Sequence, residues 1–475
     1  MPSRLSISAF ALAAVLLSGC VRYAPKPLDP EQELKVLRSR EVSGVVVQRA
    51  TLGSHPNGES AFDPSDGLNE AEVVSVALTL SPDLQAKRQA VGEAESALVA
   101  ARLWPNPEVS VGWRAGIGGT SGYSVDADAI FELLRPGERS ARKAAAVARV
   151  GVVRAEIASA EFETVAKVRV QRLRVLAAEQ VVALLDEELK VRERGLDLVR
   201  RQRELGEGSQ LEVATTELEV AEVRRELRKA RAEVESERLG LNRLLGLPSE
   251  YDLRLTESGK PLAFTVYDDV ADAEVERRIL AGRPELASAA AGYREAEAEL
   301  HLAVMGQYPR LGIGPAYERE LEGDNALGLG LSLELPVFNR NQAEIAEKRA
   351  QRGRRRAEYV ALLHGLRTDA LAARSSLRQA AQEVEAQEKE VLPLIRRTEE
   401  LTERAFRIRE LSAIELTTAQ QRALRARREY LEALVRHGTA VIELETATGM
   451  RLSEAAPPTA PRPQPATAPA TPPDP

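Results

Sequence analysis

The side chains best equipped for chemistry here are four histidines, one cysteine and a large population of acids. His55, His301, His364 and His437 are scattered, with no second ligand at metal-binding spacing, so each reads as structural or solvated. Gly312-x-Gly314 and Gly328-x-Gly330 fall inside stretches of strand periodicity and not between a strand and a helix, so they are not phosphate loops. The 72 Asp and Glu residues crowd helical stretches among 65 Lys and Arg, where neighbouring carboxylates arise by chance. No nucleophile, base and orienting group can be assembled, which argues against an enzyme, and no pattern calls for a cofactor or a metal. A net charge of −7 argues against a nucleic-acid partner.

Cys20 has a more specific setting. Arg4 is followed by the apolar run ISAFALAAVLL and then by Leu17-Ser18-Gly19-Cys20, the layout of a bacterial lipoprotein signal that ends at the lipidated, palmitate-bearing cysteine. Val21 beside it resembles lipoproteins sorted to the outer membrane. With a single cysteine no intrachain disulfide forms, and no other window approaches twenty apolar residues.

Few of these residues can be placed without the helices that hold them. Between Pro136 and Pro248 the chain reads as helix almost throughout. Val168, Val175, Val182, Leu189 and Leu196 recur by sevens on one limb, and Val213, Val220, Leu227, Val234 and Leu241 on the other. Gly206-Glu207-Gly208-Ser209 breaks the pattern, and Ser209-x-x-Glu212 is a capping box that restarts it. The reading is an antiparallel hairpin whose first limb, about 65 residues, is ~100 Å long. Aromatics at 4% and charged residues at 29% are coiled-coil usage.

The unit is written twice. Ser81-Pro82-Asp83-Leu84 corresponds to Arg283-Pro284-Glu285-Leu286, Trp104-Pro105 to Tyr308-Pro309, Glu132-Leu133 to Glu334-Leu335, and Ser209-x-x-Glu212 to Ser412-x-x-Glu415. The expected organisation is a signal over 1–20, an extended segment over 21–67, a first repeat over 68–262 (strands about 108–117 and 123–133, hairpin 138–247), a second over 268–452 (strands about 309–319 and 326–335, hairpin 339–449), and a disordered Pro/Ala-rich tail over 453–475. Leu327, Leu329, Leu331, Leu333 and Leu335 alternate with small or acidic residues. Tyr123, Val125, Ala127, Ala129 and Phe131 alternate with Ser124, Asp126, Asp128, Ile130 and Glu132. Taken alone, such segments fit membrane β-barrel strands or a soluble sheet on a helical layer. The lipoprotein address and the long helices favour the membrane. Four strands cannot close a barrel, so several chains must pool theirs.

At this point the chain resembles the TolC-like outer-membrane factors of tripartite efflux and type I secretion systems, over roughly 68–450. Leu335-Pro336-Val337-Phe338-Asn339-Arg340-Asn341-Gln342, Trp104-Pro105-Asn106-Pro107-Glu108 and Leu205-Gly206-x-Gly208-Ser209-x-Leu211-Glu212-Val213 resemble the branch that serves heavy-metal RND pumps, of the CzcC and CusC type. Arg135-Pro136-Gly137-Glu138-Arg139 stands where that branch carries a glycine-lysine-arginine turn, and Arg409 replaces the second turn glycine. The resemblance implies a mainly helical homotrimer with four strands per chain in a shared twelve-stranded outer-membrane barrel, above a periplasmic tunnel of coiled-coil hairpins. It implies a passive exit duct for metal cations or small toxic compounds, docked through a periplasmic adaptor to an inner-membrane pump. Glu212 and Glu415, with Thr215 and Thr418 one turn on, would form the gate at the tip, although Glu212 also has a bland role as a cap. Leu205, Gly206, Gly208, Ser209, Leu211, Val213 and Ser412 would meet the adaptor. Asp126, Asp128, Glu132 and Glu334 read as lumen-facing, since their alternate neighbours suit lipid. The rivals are a type I secretion or drug-efflux duct and a lipid-anchored periplasmic coiled-coil spacer.

Overall fold

The computed structural model describes residues 23–42, 66–115, 122–258, 262–267, 270–320, 324–408, 410–411 and 413–452. Two units are distinguished, one ending at Glu41 and one beginning at Val42. In the first, part of the segment expected to be extended is a helix, α1 (Pro30–Arg38). The Asp29 side chain accepts from the Glu31 and Gln32 N–H groups, and Pro30 sits in the first turn, where no N–H is needed. That proline starts a helix instead of preventing one. Cys20 and the signal over 1–20 lie outside the described residues, as does the tail from 453.

In the second unit α2 (Glu70–Leu80) and α3 (Pro82–Ala100) lead to strands β1 (Glu108–Ala115) and β2 (Tyr123–Leu133), followed by a hairpin of α4 (Glu138–Glu204) and α5 (Gln210–Leu245). The same order returns as α6 (Asp272–Gly282), α7 (Pro284–Met305), β3 (Arg310–Arg319) and β4 (Asn325–Glu334). The second hairpin has an outgoing limb of α8 (Gln342–Ala386), a π turn (Gln387–Val391) and α9 (Leu392–Arg407), and α10 (Ala413–Thr448) returns. Gly137 (φ 84°) and Asn341 (φ 59°) hold the left-handed conformation at equivalent turns from strand into hairpin. The limbs differ at one point. α4 runs unbroken for 67 residues, whereas Pro393 cannot donate to the carbonyl four residues back, and the π turn immediately before it takes up the lost rung.

Packing follows the seven-residue spacing. Val168, Val175 and Leu196 on α4, and Val213, Val220, Leu227 and Leu241 on α5, are buried, while Val182, Leu189 and Val234 are half-buried. A ladder of charges at the same interval fixes the register of α4 against α5: Arg200–Glu217 (2.6 Å), Glu193–Arg224 (2.7 Å), Asp186–Arg231 (3.0 Å) and Glu179–Arg238 (2.8 Å). Each repeat has its own apolar core at the base of its hairpin, one around Val73, Val168, Leu241 and Leu245, the other around Val275, Ile279, Leu366 and Leu444.

An ionic network joins the two repeats between those cores. Buried Arg169 on α4 donates to Glu70 on α2 at 2.8 Å and to Glu445 on α10 at 2.6 Å. Arg451 reaches Glu70 at 2.8 Å, Arg172 reaches Glu257 at 2.6 Å, and the second Glu445 oxygen accepts the Leu452 N–H at 2.8 Å. Burial pushes the Glu70 carboxyl up, but Arg169, Arg451 and Arg172 together hold it below the usual carboxylate range. Burial likewise opposes the charge on Arg169, and Glu70 and Glu445 more than restore it.

Two outcomes follow from this network. Arg169→Ala leaves Glu445 buried without its cation and should cost about 3–5 kcal/mol, read as a clear fall in the thermal unfolding midpoint of purified protein; an unchanged midpoint would show the network to be dispensable. Because the folded pKa of Glu70 lies below its unfolded value, its stabilisation is complete at neutral pH and fades as pH falls through the unfolded value, about 4.3, and then the folded one. Glu70→Gln should therefore flatten the acid side of the midpoint-against-pH curve and leave the alkaline side parallel to the parent.

Candidate functional site

The sheet has the order β1-β2-β3-β4 with every pair antiparallel. Trp113 faces Val125, Ala127 faces Tyr317 and Ile313 faces Leu331, so the pairing puts all odd-numbered residues on one face. That face carries Val109, Val111, Trp113, Phe131, Leu311, Ile313, Leu327, Leu329, Leu331 and Leu333, all exposed in the single chain, with Leu327 82% open. Tyr123 and Tyr317 mark one end of this band, and Trp104, Tyr308 and Phe338 lie exposed just beyond the other. Arg319 covers the Tyr123 ring at 4.5 Å.

The even face is polar. It brings together Asp126, Asp128, Glu132 and Glu334, and supplies cations between them. Arg114 contacts Asp126 at 3.2 Å, Arg310 contacts Glu132 at 3.3 Å and stands opposite Glu334, and the Ser110 hydroxyl donates to Asp128. Gly314 is required on this face, because a Cβ there would strike the Ala129 backbone. The outer edges of β1 and β4 have no strand partner among the described residues.

The hairpin tips lie at the far ends of the helices. At the first, α4 ends with Leu205 as its C-cap, Gly206 turns left-handed (φ 82°), and Ser209 caps α5. The Glu212 N–H donates to Ser209 Oγ at 3.1 Å, and Glu212 Oε2 accepts the Ser209 N–H at 2.8 Å. The carboxylate assigned to the gate is thus already engaged as a cap. The Thr215 hydroxyl donates back to the Leu211 carbonyl at 2.8 Å. Leu205 and Leu211 are each 76% exposed, and Val213 is buried. At the second tip Glu415 is exposed and Thr418 half-buried, while Ser412 and Arg409 lie outside the described residues.

Several contacts that join the tips escaped the sequence reading. Phe406 packs into the apolar cluster of Leu196, Val199, Val213 and Val220 from the first hairpin. Gly195 faces α10, where a Cβ would meet Thr417 at an ordinary contact distance of 3.5 Å. Arg427 reaches Glu187 at 3.3 Å, and Arg428 reaches Glu226 at 3.2 Å. A glycine in mid-helix, costing about 1 kcal/mol relative to alanine, was the available signal. His437, expected to be structural or solvated, is buried against Phe264 and Tyr267, and burial lowers its pKa. Among the described residues no group of three or more His, Cys, Asp or Glu is placed to hold a metal, and no helix is long and apolar enough to cross a membrane.

Comparison with known proteins completes this geometry. The profile of the Outer membrane efflux protein family matches residues 73–247 and 276–450, one match for each repeat. The cobalt-zinc-cadmium resistance protein CzcC of Cupriavidus metallidurans is 24% identical over 362 residues, covering 76% of this chain and 85% of that protein. The structure superposes on CusC with a TM-score of 0.65 at 18% identity, over 85% of this chain and 98% of that one. For the Campylobacter jejuni CmeC outer membrane channel the TM-score is 0.67 at 14% identity, over 90% and 93% of the two chains. At these identities the superpositions show the fold, that of TolC-like outer-membrane channels with a barrel part and a helical part. The protein is a channel of the outer membrane and not an enzyme, which sets aside the spacer reading. With both of its repeats matched, the chain belongs to the outer membrane efflux protein family.

Proposed function

We propose that this chain is the exit duct of a tripartite efflux system. Three copies would pool four strands each into a twelve-stranded barrel, with their hairpins side by side as a periplasmic tunnel. The duct conducts passively, and an inner-membrane pump of the RND type, reached through a periplasmic adaptor, supplies the energy. One observation carries this reading above the others: a four-stranded sheet with an exposed apolar face ends in two edges that have no partner among the described residues. In hydrocarbon each unsatisfied backbone group costs several kcal/mol, so the sheet has to close on copies of itself.

In that arrangement Asp126, Asp128, Glu132 and Glu334 line the lumen, moderated by Arg114 and Arg310, and the apolar face meets lipid. Metal cations or small toxic compounds are the proposed cargo. The likeness to a cobalt-zinc-cadmium resistance protein supports the first, as does a lumen face where carboxylates outnumber cations. Leu205, Gly206, Gly208, Ser209, Leu211 and Ser412 would form the adaptor contact, with Val213, first expected there, buried beneath them and supporting the tip from inside, and Glu212, Glu415, Thr215 and Thr418 the narrowing at the tip. Lipidation at Cys20 would add an anchor to the same membrane.

Purified protein should run as a trimer in detergent and open ion-conducting pores in planar bilayers; a monomer without conductance would refute the duct. Within conducting pores, Glu415→Gln should lower the preference for cations, seen as a shift in reversal potential under a salt gradient, and an unmoved potential removes Glu415 from the conduction path. Leu211→Glu should abolish efflux in cells while trimer abundance in outer-membrane fractions stays at the parental level, and retained efflux would take Leu211 out of the adaptor contact.

A further inference from the structure

Three arginines at the turn where β2 enters α4, and Arg102 between α3 and β1, meet two different fates. Glu138, itself buried, takes up two of them: Arg142 at 2.5 Å, and Arg135 at 3.5 Å, with the Arg135 N–H adding a bond at 3.1 Å. Arg135 Nε also donates to the Tyr308 carbonyl, fixing the second repeat's aromatic turn against the first. Arg139 and Arg102 have no such partner. The Arg139 guanidinium lies over the Trp104 ring, 5.3 Å from its centroid, and donates to the Arg102 carbonyl at 3.1 Å. Neither arginine makes an ion pair among the described residues, and both are exposed. Around them Leu103 is 62% and Trp104 58% exposed. One unneutralised guanidinium thus lies on an exposed indole, and a second arginine without an ion pair among the described residues stands two positions before that indole, in the segment that leads into β1.

We infer that Trp104, Arg139 and Arg102 form a binding surface for the headgroup of an anionic phospholipid. An indole with one polar edge suits the border between acyl chains and headgroups, and a guanidinium pairs bidentately with a phosphate. A carboxylate would have neutralised the site internally, and Glu138 is spent on Arg135 and Arg142. Only Pro105, Asn106 and Pro107 separate Trp104 from β1, so a lipid whose chains lie on Val109 and Val111 would place its phosphate at Arg139. This rests on the proposed reading, in which the strands span the outer membrane and the helices stand below it.

The chain contains two tryptophans, Trp104 and Trp113, and this allows a direct test. Full-length Trp113→Phe protein, reporting from Trp104 alone, is reconstituted into phosphatidylcholine vesicles containing an equal fraction of either brominated phosphatidylglycerol or brominated phosphatidylcholine. Quenching should be at least twofold stronger with the anionic lipid, and adding Arg102→Gln and Arg139→Gln should make the two lipids equal. Trp104→Phe protein, reporting from Trp113 on the apolar face, should be quenched equally by both. If Trp113 is quenched and Trp104 shows no preference, or keeps its preference in the double Gln variant, the lipid surface is wrong while the barrel stands. If Trp104 is quenched by neither lipid, a neighbouring copy covers it and the inference also fails. If Trp113 is not quenched at all, the membrane reading falls and takes this inference with it. Circular dichroism of each variant confirms that the helices are retained.

Discussion

Backbone hydrogen bonding is the constraint from which the rest of the molecule follows. A strand in water can leave an edge open, since water satisfies its N–H and C=O groups; in lipid it cannot. The single chain has a polar even face, an apolar odd face and, among the described residues, two open edges, a sheet that is complete in neither solvent. The helical part is unfinished in a similar way. Leu218 and Leu239 on α5 and Leu394, Leu401 and Ile408 in and just beyond α9 are all exposed, the last three spaced by sevens. Those are coiled-coil seams without a partner. Open edges on the outermost strands and open seams on the outermost hairpin limbs would both be covered in the proposed assembly, by another copy on each side.

Inside the chain the two repeats are held by a different mechanism. Exposed rungs such as Arg200–Glu217 are worth at most about 1 kcal/mol each, and their value lies in register: a slip of one residue on α5 would break all of them together. The Arg169 network is another matter, because its charges are removed from water. There a missing partner is far more costly than the pair is stabilising. Glu70 and Arg169 come from the first repeat, Glu445 and Arg451 from the second, so the network disfavours separation of the repeats. Aliphatic packing alone would not specify that junction, because the two repeat cores are built from interchangeable Val and Leu positions.

Much of this was legible in the sequence, for reasons that separate local from distant effects. Seven-residue spacing, the Ser209–Glu212 box and the alternation in 326–335 are properties of short windows, and each appears in the structure where its window stands. α1 was misread because counting prolines hid the fact that Pro30 follows a capping aspartate. The salt-bridge ladder could have been read, since its charges recur by sevens once the hairpin is folded at Gly206. The Arg169 network could not: Arg169 and Glu445 are 276 positions apart, and nothing in the Glu-Arg-rich background distinguishes the few that become buried. The same holds for Phe406, an aromatic on one hairpin whose pocket is on the other.

The doubled chain also shows where symmetry stops. The first hairpin has an unbroken outgoing helix and a ladder of charges; the second has a π turn forced by Pro393 and, in α9, no buried residue. Local stability follows buried contact and intact backbone rungs, so the lower second hairpin is the softer of the two. Its ties to the first are few and specific: Phe406 in the apolar cluster, Thr417 against Gly195, and Arg427 and Arg428 on opposing carboxylates. Those ties lie on the tip side of the π turn, while the strap around Phe264 and Leu262 and the Tyr430–Glu388 hydrogen bond of 2.6 Å hold the helices at it. At the base the hairpins are held by Arg169 on Glu445 and by the close approach of Gly438 to Leu173, so the difference in softness between them is confined to the stretch between the π turn and the tip.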